Sequence, residues 1–96
     1  MKDITMQEFL NLNPKEIQLI DVREPDEFNS FHIESSILIP KWDLVERKDE
    51  LDKTKTLYLI CRTWMRSMFM AQVMEVYWFE TVNVLWWVEE YLKLTK

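Results

Sequence analysis

Short apolar runs alternate with amphipathic segments along this chain. The runs from Ile17 to Val22 and from Thr56 to Ile60 are almost continuously apolar. Runs of this length and composition predict strands that are covered on both faces. Shorter apolar runs predict two further strands, one from Ile37 to Ile39, closed by Pro40, and one from Val82 to Leu85.

Helical patterns lie between these strands. The segment from Ile4 to Leu10 predicts a short strand and then a helical turn, because Thr5 and Glu8 have the spacing of a capping box. The other predicted helices are a short one within 23–28 with proline in its first turn, an amphipathic one from Trp42 to Leu51, a central and most buried one over 66–76, and a terminal one from Trp87 to Leu94.

Strands that alternate with helices at this spacing are typical of a parallel sheet with helices on both faces. We therefore predict a three-layer α/β/α domain with a central, mostly parallel sheet. With 96 residues, the chain has room for a single domain, 1–96, and for no second one.

The segment Cys61 to Ser67 joins the predicted strand at 56–60 to the predicted helix at 66–76. The free amides of a helix's first turn and the helix dipole both favour a negative charge at that place. Arg62 and Arg66 add two positive charges beside the thiol. We therefore expect Cys61 to ionise more readily than a free thiol, and the two arginines to stabilise a thiolate, a persulfide or an anionic substrate there. The competing interpretation is a small buried hydrophobic residue at a strand end.

The segment resembles the active-site loop of the rhodanese family of sulfurtransferases, whose usual form is Cys-Arg-x-Gly-x-Arg-Ser. Trp64 stands where that pattern has glycine. Three further stretches are similar to family signatures in the right order, and these are Leu19 to Phe28, His32 to Pro40 and Thr81 to Leu85.

The resemblance implies a rhodanese-like fold and a sulfurtransferase in which Cys61 is the nucleophile and carries a persulfide. It implies that the rest of the loop holds the sulfur or anion, through Arg62, Thr63, Trp64, Met65, Arg66 and Ser67. Asp21 and Arg23 would support neighbouring turns as an ion pair or hydrogen-bond network. His32 would help to form a turn and would transfer no proton. Glu24, Asp26 and Glu27 would form a solvated helix start.

The implied partners are a small sulfur donor such as thiosulfate and a thiol or cyanide acceptor. Only four residues separate Cys61 from Arg66, whereas related phosphatases have five and cradle a wider phosphate. A phosphatase or arsenate reductase is therefore the less favoured enzyme class. A catalytically silent rhodanese-like scaffold or binding module is the other alternative.

Composition excludes several classes. The net charge of −5 argues against a nucleic-acid surface, and no apolar run has the length of a membrane span. One cysteine and one histidine favour neither a disulfide nor a zinc site, so we expect no metal and no cofactor. Without an apparent secretion signal, a cytoplasmic location is expected.

The chain contains no glycine, although about seven would be expected at ordinary usage. Against the family pattern, the places where glycine is expected hold Phe31, Ser35, Trp64, Trp78, Trp86 and Trp87. We hypothesise a glycine-free engineered variant, with sulfur transfer weakened by Trp64. Either few of these positions need a positive φ, or tryptophan burial offsets the strain. We expect either a monomer or weak self-association through exposed tryptophans.

Overall fold

The computed structural model describes residues 1–62, 64–87 and 93. Its helices and strands begin with β1 (Lys2–Ile4), α1 (Met6–Leu10), β2 (Gln18–Asp21), α2 (Pro25–Ser30) and β3 (Ile37–Leu38). They continue with β4 (Leu57–Cys61), α3 (Met65–Val76) and β5 (Thr81–Trp87), and short 3₁₀ helices lie at Pro14–Glu16 and Lys48–Glu50.

The five strands form one sheet in the order β1-β5-β4-β2-β3, and every neighbouring pair is parallel. The predicted central parallel sheet is confirmed. Pairing between β4 and β5 shifts near its carboxyl end, since Leu59 lies opposite Asn83 and Cys61 lies opposite Trp87. This irregularity lies where the predicted reactive segment leaves the sheet.

Alternate side chains of the central strands enter two separate cores. Leu57, Leu59 and Cys61 of β4 pack on the α3 face of the sheet, together with Met70 and Met74. The opposite face carries a second core that contains Met6 and Phe9 of α1 and Ile60, Val82 and Val84 of the sheet. Because both faces of the sheet are covered, the three-layer prediction is confirmed.

Most predicted elements agree with the structure to within one or two residues. Thr5 is the N-cap of α1, and its capping box with Glu8 is present. Pro25 is the first residue of α2, as its position in the sequence indicated. The predicted terminal helix from Trp87 to Leu94 falls almost entirely outside the described residues.

The predicted helix from Trp42 to Leu51 is wrong. Residues 41–47 form consecutive turns, and Lys48–Glu50 is a 3₁₀ helix. Leu44 is fully buried, whereas Val45 and Leu51 are only partly buried against the same core. A single deeply buried anchor does not supply the continuous apolar face that stabilises a short α-helix.

The prediction that α3 is a deeply buried central helix is only partly right. One face is buried, with Ser67, Met70, Ala71 and Met74. Met65, Phe69 and Val76 are 60% or more exposed, so the apolar composition of α3 extends onto its outer face. None of the helices in the described ranges has the length and apolar character needed to cross a membrane.

One position takes a backbone conformation that favours glycine. Trp78 follows the C-cap residue of α3 and has φ of 73°, and no other described residue has a positive φ. The Trp78 amide donates to Glu75 O at 3.0 Å and the Phe79 amide to Met74 O at 3.3 Å, which is the Schellman pattern. Phe31 and Trp64 have φ of −168° and −100°, so no left-handed strain arises there.

Tryptophan burial does not offset the strain at Trp78, because this side chain is 88% exposed. Trp64 is 40% exposed as well. The chain can fold without glycine because few of the described positions where glycine was expected need a positive φ. Burial of tryptophan is not the explanation at Trp78.

Candidate functional site

Cys61 is the last residue of β4, and α3 begins four residues later at Met65. The carboxyl ends of all five parallel strands meet at the same edge of the sheet. Open α/β sheets place their ligands at this edge. The chain thus brings its one thiol to the end of a buried strand and directs the following residues into a helix.

The Cys61 side chain is fully buried and contacts Ser67, six residues later in the first turns of α3. The Ser67 amide donates to Cys61 Sγ at 3.4 Å, and the Cys61 thiol donates to Ser67 Oγ at 3.3 Å. A backbone N–H aimed at the sulfur stabilises negative charge there. The helix start therefore contributes directly to the environment of the sulfur.

The other residues of the loop lie at different depths. Arg62 is exposed, and Met65 is 61% exposed at the start of α3. Trp64 is the N-cap residue of α3 and makes no side-chain capping bond. Thr63 lies outside the described residues. The outer side of the loop is thus apolar at 64 and 65, whereas its inner side holds the buried thiol.

Arg66 is joined to α2 by two hydrogen bonds. Its Nη1 donates to Glu27 Oε1 at 2.7 Å and its Nη2 to Glu27 Oε2 at 3.0 Å. Both side chains are about three-quarters buried, with 27% and 22% of their side-chain surfaces exposed. The pair links the loop to a helix 39 residues earlier in the chain. The expectation of a solvated helix start is therefore wrong for Glu27.

The ion pair shifts the ionisation of both partners. The hydrogen bond from Arg66 lowers the pKa of Glu27 from its ordinary value of 4.5 to about 2, against an opposing effect of burial. The pKa of Arg66 is raised, first by the hydrogen bond to Glu27 and also by the negative charge of Glu27. Arg66 is thus a permanent cation that is paired with Glu27.

Ser67 also contacts Asn83 on β5. Its hydroxyl lies 2.5 Å from Asn83 Oδ1 and 3.1 Å from Trp64 O. Asn83 is fully buried, and its Nδ2 donates to Asp3 Oδ1 at 3.3 Å and to Trp64 O at 3.4 Å. A polar chain therefore runs from Asp3 on β1 through Asn83 and Ser67 to the sulfur of Cys61.

Asp21 and Arg23 form a fully buried ion pair where β2 ends. Arg23 Nε lies 2.9 Å from both carboxylate oxygens of Asp21, and Arg23 Nη2 lies 2.8 Å from Asp21 Oδ2. Arg23 Nη2 also donates to Phe31 O at 2.7 Å. These bonds tie the end of β2 to the segment that follows α2, beside the strand that carries Cys61.

His32 lies against α2. Its Nδ1 is 2.8 Å from Phe28 O, and its ring stacks on the Phe28 ring with centroids 3.8 Å apart. The hydrogen bond and the stacking fix the imidazole against the helix that supplies Glu27. No group of three or more His, Cys, Asp or Glu side chains within the described part of the chain is arranged to hold a metal ion.

Two residues of this site were missed from the sequence. Asn83 interrupts the apolar run from Val82 to Leu85, and a polar residue inside a buried strand is a usable signal. Glu27 had a weaker signal, because a glutamate in a first helical turn is usually explained by the helix dipole alone.

Comparison with known proteins assigns the family. Residues 5–87 match the family described as "Rhodanese-like domain". The chain belongs to the rhodanese-like domain family, and its resemblance to that family in sequence is confirmed.

Individual relatives and a solved structure agree with this assignment. The chain is 42% identical over 74 residues to YqhL of Bacillus subtilis, which is 77% of this chain and 58% of that protein. It is 40% identical over 70 residues to "Putative sulfurtransferase YtwF" of the same organism, covering 73% of this chain and 68% of YtwF. The crystal structure of a rhodanese-like domain protein from Staphylococcus aureus superposes with a TM-score of 0.86 at 28% identity, covering 95% of this chain and 91% of that one. The chain thus spans less than three fifths of the length of YqhL. The comparisons therefore assign the chain to a domain family and not to the function of a whole relative.

Proposed function

We propose that this protein is a rhodanese-type sulfurtransferase that carries a sulfane sulfur on Cys61. The observation that carries the proposal is the position of Cys61 Sγ, which lies at the carboxyl edge of the sheet and accepts the Ser67 amide at 3.4 Å. The name of YtwF supports the same class of reaction. A reducing, cytoplasmic compartment would keep the lone thiol available for this chemistry.

Thiosulfate, or a donor of similar chemistry, would load the enzyme. The Cys61 thiolate attacks the outer sulfur of thiosulfate, the sulfur–sulfur bond of the donor breaks, and sulfite leaves with the electron pair. Cys61 then holds a persulfide. Cyanide or a thiolate attacks its terminal sulfur, which leaves as thiocyanate or as a new persulfide, and the Cys61 thiolate is restored.

The residues around Cys61 would stabilise the charge in both steps. The Ser67 amide faces the sulfur, and Arg66 contributes to the charge environment of Cys61 while Glu27 holds its guanidinium in place. Positive charge and N–H groups that are already in position lower the barrier without further reorganisation. Arg62, Thr63, Trp64 and Met65 complete the proposed donor-binding loop.

One observation favours the alternative of a silent rhodanese-like scaffold. Cys61 is fully buried, and an indole occupies position 64 at the start of α3. A donor then reaches the sulfur only if the outer side of the loop opens. A scaffold would use the fold to bind a partner and would transfer no sulfur.

The experiment that separates the two functions is a thiosulfate-to-cyanide assay that measures thiocyanate. The sulfurtransferase proposal expects turnover by this chain and none by Cys61→Ser. Arg66→Met should reduce turnover at least about tenfold through lost charge stabilisation. Arg47→Met is the matched control, because Arg47 also makes a two-bond pair with a glutamate, Glu50, but far from the loop in sequence. Thiocyanate formation equal to that of Cys61→Ser would overturn the proposal and favour the scaffold.

A further inference from the structure

Asn83 is a fully buried polar residue in β5, between two apolar residues. Side chains of a strand alternate between the two faces of the sheet, so Asn83 lies on the face opposite to Val82 and Val84. These two valines belong to the core that contains α1, and the Asn83 side chain therefore faces α3. A buried amide needs hydrogen-bond partners from the protein, and those of Asn83 lie on β1 and at the start of α3.

The orientation of the Asn83 amide follows from these partners. Its Nδ2 lies 3.3 Å from Asp3 Oδ1 and 3.4 Å from Trp64 O, which are both acceptor oxygens. Its Oδ1 accepts the Ser67 hydroxyl at 2.5 Å. The reverse orientation would place the amide oxygen against two acceptors. Asp3 lies directly opposite Asn83 in the pairing of β1 with β5, so the neighbouring strand helps to set this orientation.

Asn83 contacts the start of α3 at two points. Its Nδ2 donates to the carbonyl of Trp64, which is the N-cap residue, and its Oδ1 accepts from Ser67, which is the third residue of the helix. The Trp64 carbonyl also accepts the Met68 amide at 3.0 Å, and this bond closes the first turn. One side chain of β5 therefore holds both the carbonyl that precedes the helix and a side chain of its first turn.

The direction of the Trp64 carbonyl also determines the direction of the next amide. The C=O and N–H of a trans peptide point in opposite directions. Because Trp64 O faces β5 and α3, the Met65 N–H points out of the start of the helix. Amides of a first helical turn attract negative charge, and the Ser67 amide already donates to Cys61 Sγ at 3.4 Å. Through Trp64 and Ser67, Asn83 thus influences where these amides point.

We propose that Asn83 is a positioning residue that holds the first turn of α3 in the orientation that directs its amides towards the reacting sulfur. Asp3 assists from β1 by orienting the Asn83 amide. The inference deepens the proposed function and rests on it for its catalytic meaning, because amides that are already in position stabilise the negative charge that moves during sulfur transfer. Asn83 gives and takes no proton in this role, so it affects the rate of transfer and not its chemistry.

Amide hydrogen exchange, measured by NMR without any sulfur donor, tests whether Asn83 holds the helix start. In Asn83→Leu an apolar side chain of comparable size replaces the amide, and we expect the Ser67 and Met68 amides to exchange about tenfold faster than in the parent. The Met74 amide, in the last turn of the same helix, should stay within about twofold of the parent, whereas a general loss of stability would speed its exchange as well. Asn83→Ala should act in the same direction, which separates lost hydrogen bonds from altered packing.

The rate of loading at increasing thiosulfate concentrations tests the catalytic role. We expect Asn83→Leu to lower the maximal rate about tenfold and to leave the half-saturating concentration within about twofold, because displaced amides stabilise the transition state less well without weakening the capture of the donor. Asp3→Ala removes only one of the partners that orient Asn83, and Asp3 is exposed. This variant should lower the maximal rate by a smaller factor of about two to three.

The matched control is Thr81→Ala. Thr81 is also buried, lies on the same face of β5 two residues before Asn83, and likewise donates to a backbone carbonyl of α3, Ala71 O, at 3.1 Å. That carbonyl belongs to the middle of the helix and not to its first turn. Thr81→Ala should leave the exchange of the Ser67 and Met68 amides and the maximal loading rate within about twofold of the parent.

Unchanged exchange at Ser67 and Met68 in both Asn83 variants would overturn the proposal, and so would an equal effect of Thr81→Ala. Faster exchange at these amides with an undiminished loading rate would also overturn it, because the helix start would then move without consequence for transfer. A parent and Asn83 variants that load equally well would leave the proposed function standing and reject the role of Asn83. A parent that takes up no sulfur would reject the proposed function, while the exchange rates would still decide whether Asn83 holds the helix start.

Discussion

The guanidinium of Arg66 is held by both carboxylate oxygens of Glu27, at 2.7 and 3.0 Å. The two residues lie on different helices, and both side chains are mostly buried. The pair therefore ties the start of α3, and with it the loop after Cys61, to the first turn of α2. The positive charge of Arg66, which the proposed reaction requires, therefore also joins α3 to α2.

Glu27→Gln tests this link through the pH dependence of stability. The folded-state pKa of Glu27 is lowered from 4.5 to about 2, so its contribution is complete above pH 4.5 and is lost as the pH falls towards 2. With allowance for solvent screening, we expect the variant to lose about 1 kcal/mol of unfolding free energy at neutral pH. Denaturant titrations of both proteins across this pH range measure the difference.

Asp26→Asn is the control for this experiment, because it removes the same charge from an exposed position in the same helical turn. It should leave the unfolding free energy within about 0.5 kcal/mol of the parent. A Glu27→Gln deficit that stays constant down to pH 2 would show that the lost stability does not come from the ionised pair.

Trp78→Gly should stabilise the protein. Trp78 has φ of 73° after the last turn of α3, and its side chain is 88% exposed, so glycine relieves the strained backbone and sacrifices little burial. We expect a gain of about 1 kcal/mol in unfolding free energy. Thermal or denaturant unfolding measures it.

The same substitution at Trp42 is the comparison for Trp78. Trp42 is 55% exposed and its φ is not positive. Trp42→Gly should therefore bring no gain, because glycine only adds flexibility to the unfolded chain there. Equal stabilisation by both variants would mean that loss of an exposed indole, and not relief of strain, is responsible.

Trp64→Gly should speed sulfur transfer rather than stabilise the fold. Trp64 has φ of −100°, so glycine relieves no left-handed strain, but it removes a partly exposed indole from the loop that follows the fully buried Cys61. We expect about a tenfold faster loading by thiosulfate, equivalent to about 1.4 kcal/mol of barrier. Stopped reactions analysed for bound sulfur give the rate.

Trp78→Gly is the reference for the loading rate, because it also replaces tryptophan by glycine but lies just beyond the opposite end of α3 from the loop. Its loading rate should equal that of the parent. If Trp64→Gly and Trp78→Gly load at the same rate, the indole at position 64 is not the obstacle to the donor.

The sheet and the position of the thiol could be predicted from the sequence because their signals are local. The apolar run before Cys61 and the helical pattern after it define the strand and the helix independently of the rest of the chain. The capping box of Thr5 and Glu8 is equally local, and it is present. The region 42–51 could not be predicted correctly, because its apolar spacing does not reveal that Leu44 alone is deeply buried.

The long-range polar contacts of the site could not be predicted. Arg66 and Glu27 are 39 residues apart, and Asn83 and Asp3 are 80 apart, so no local pattern pairs them. The strain at one glycine-like position and not at others also depends on the fold. Trp78 follows a helix in the Schellman arrangement and is the one residue with a positive φ in the described part of the chain, whereas Phe31 and Trp64 occupy ordinary backbone conformations.

Sulfur transfer to Cys61 is tested most directly by the intact mass of the protein after incubation with thiosulfate and removal of the excess donor. We expect a gain of one sulfur atom by this chain, loss of that atom on addition of cyanide, and no gain by Cys61→Ser. An unchanged mass for the parent chain, or an equal gain by Cys61→Ser, would contradict the assignment of Cys61 as the sulfur carrier.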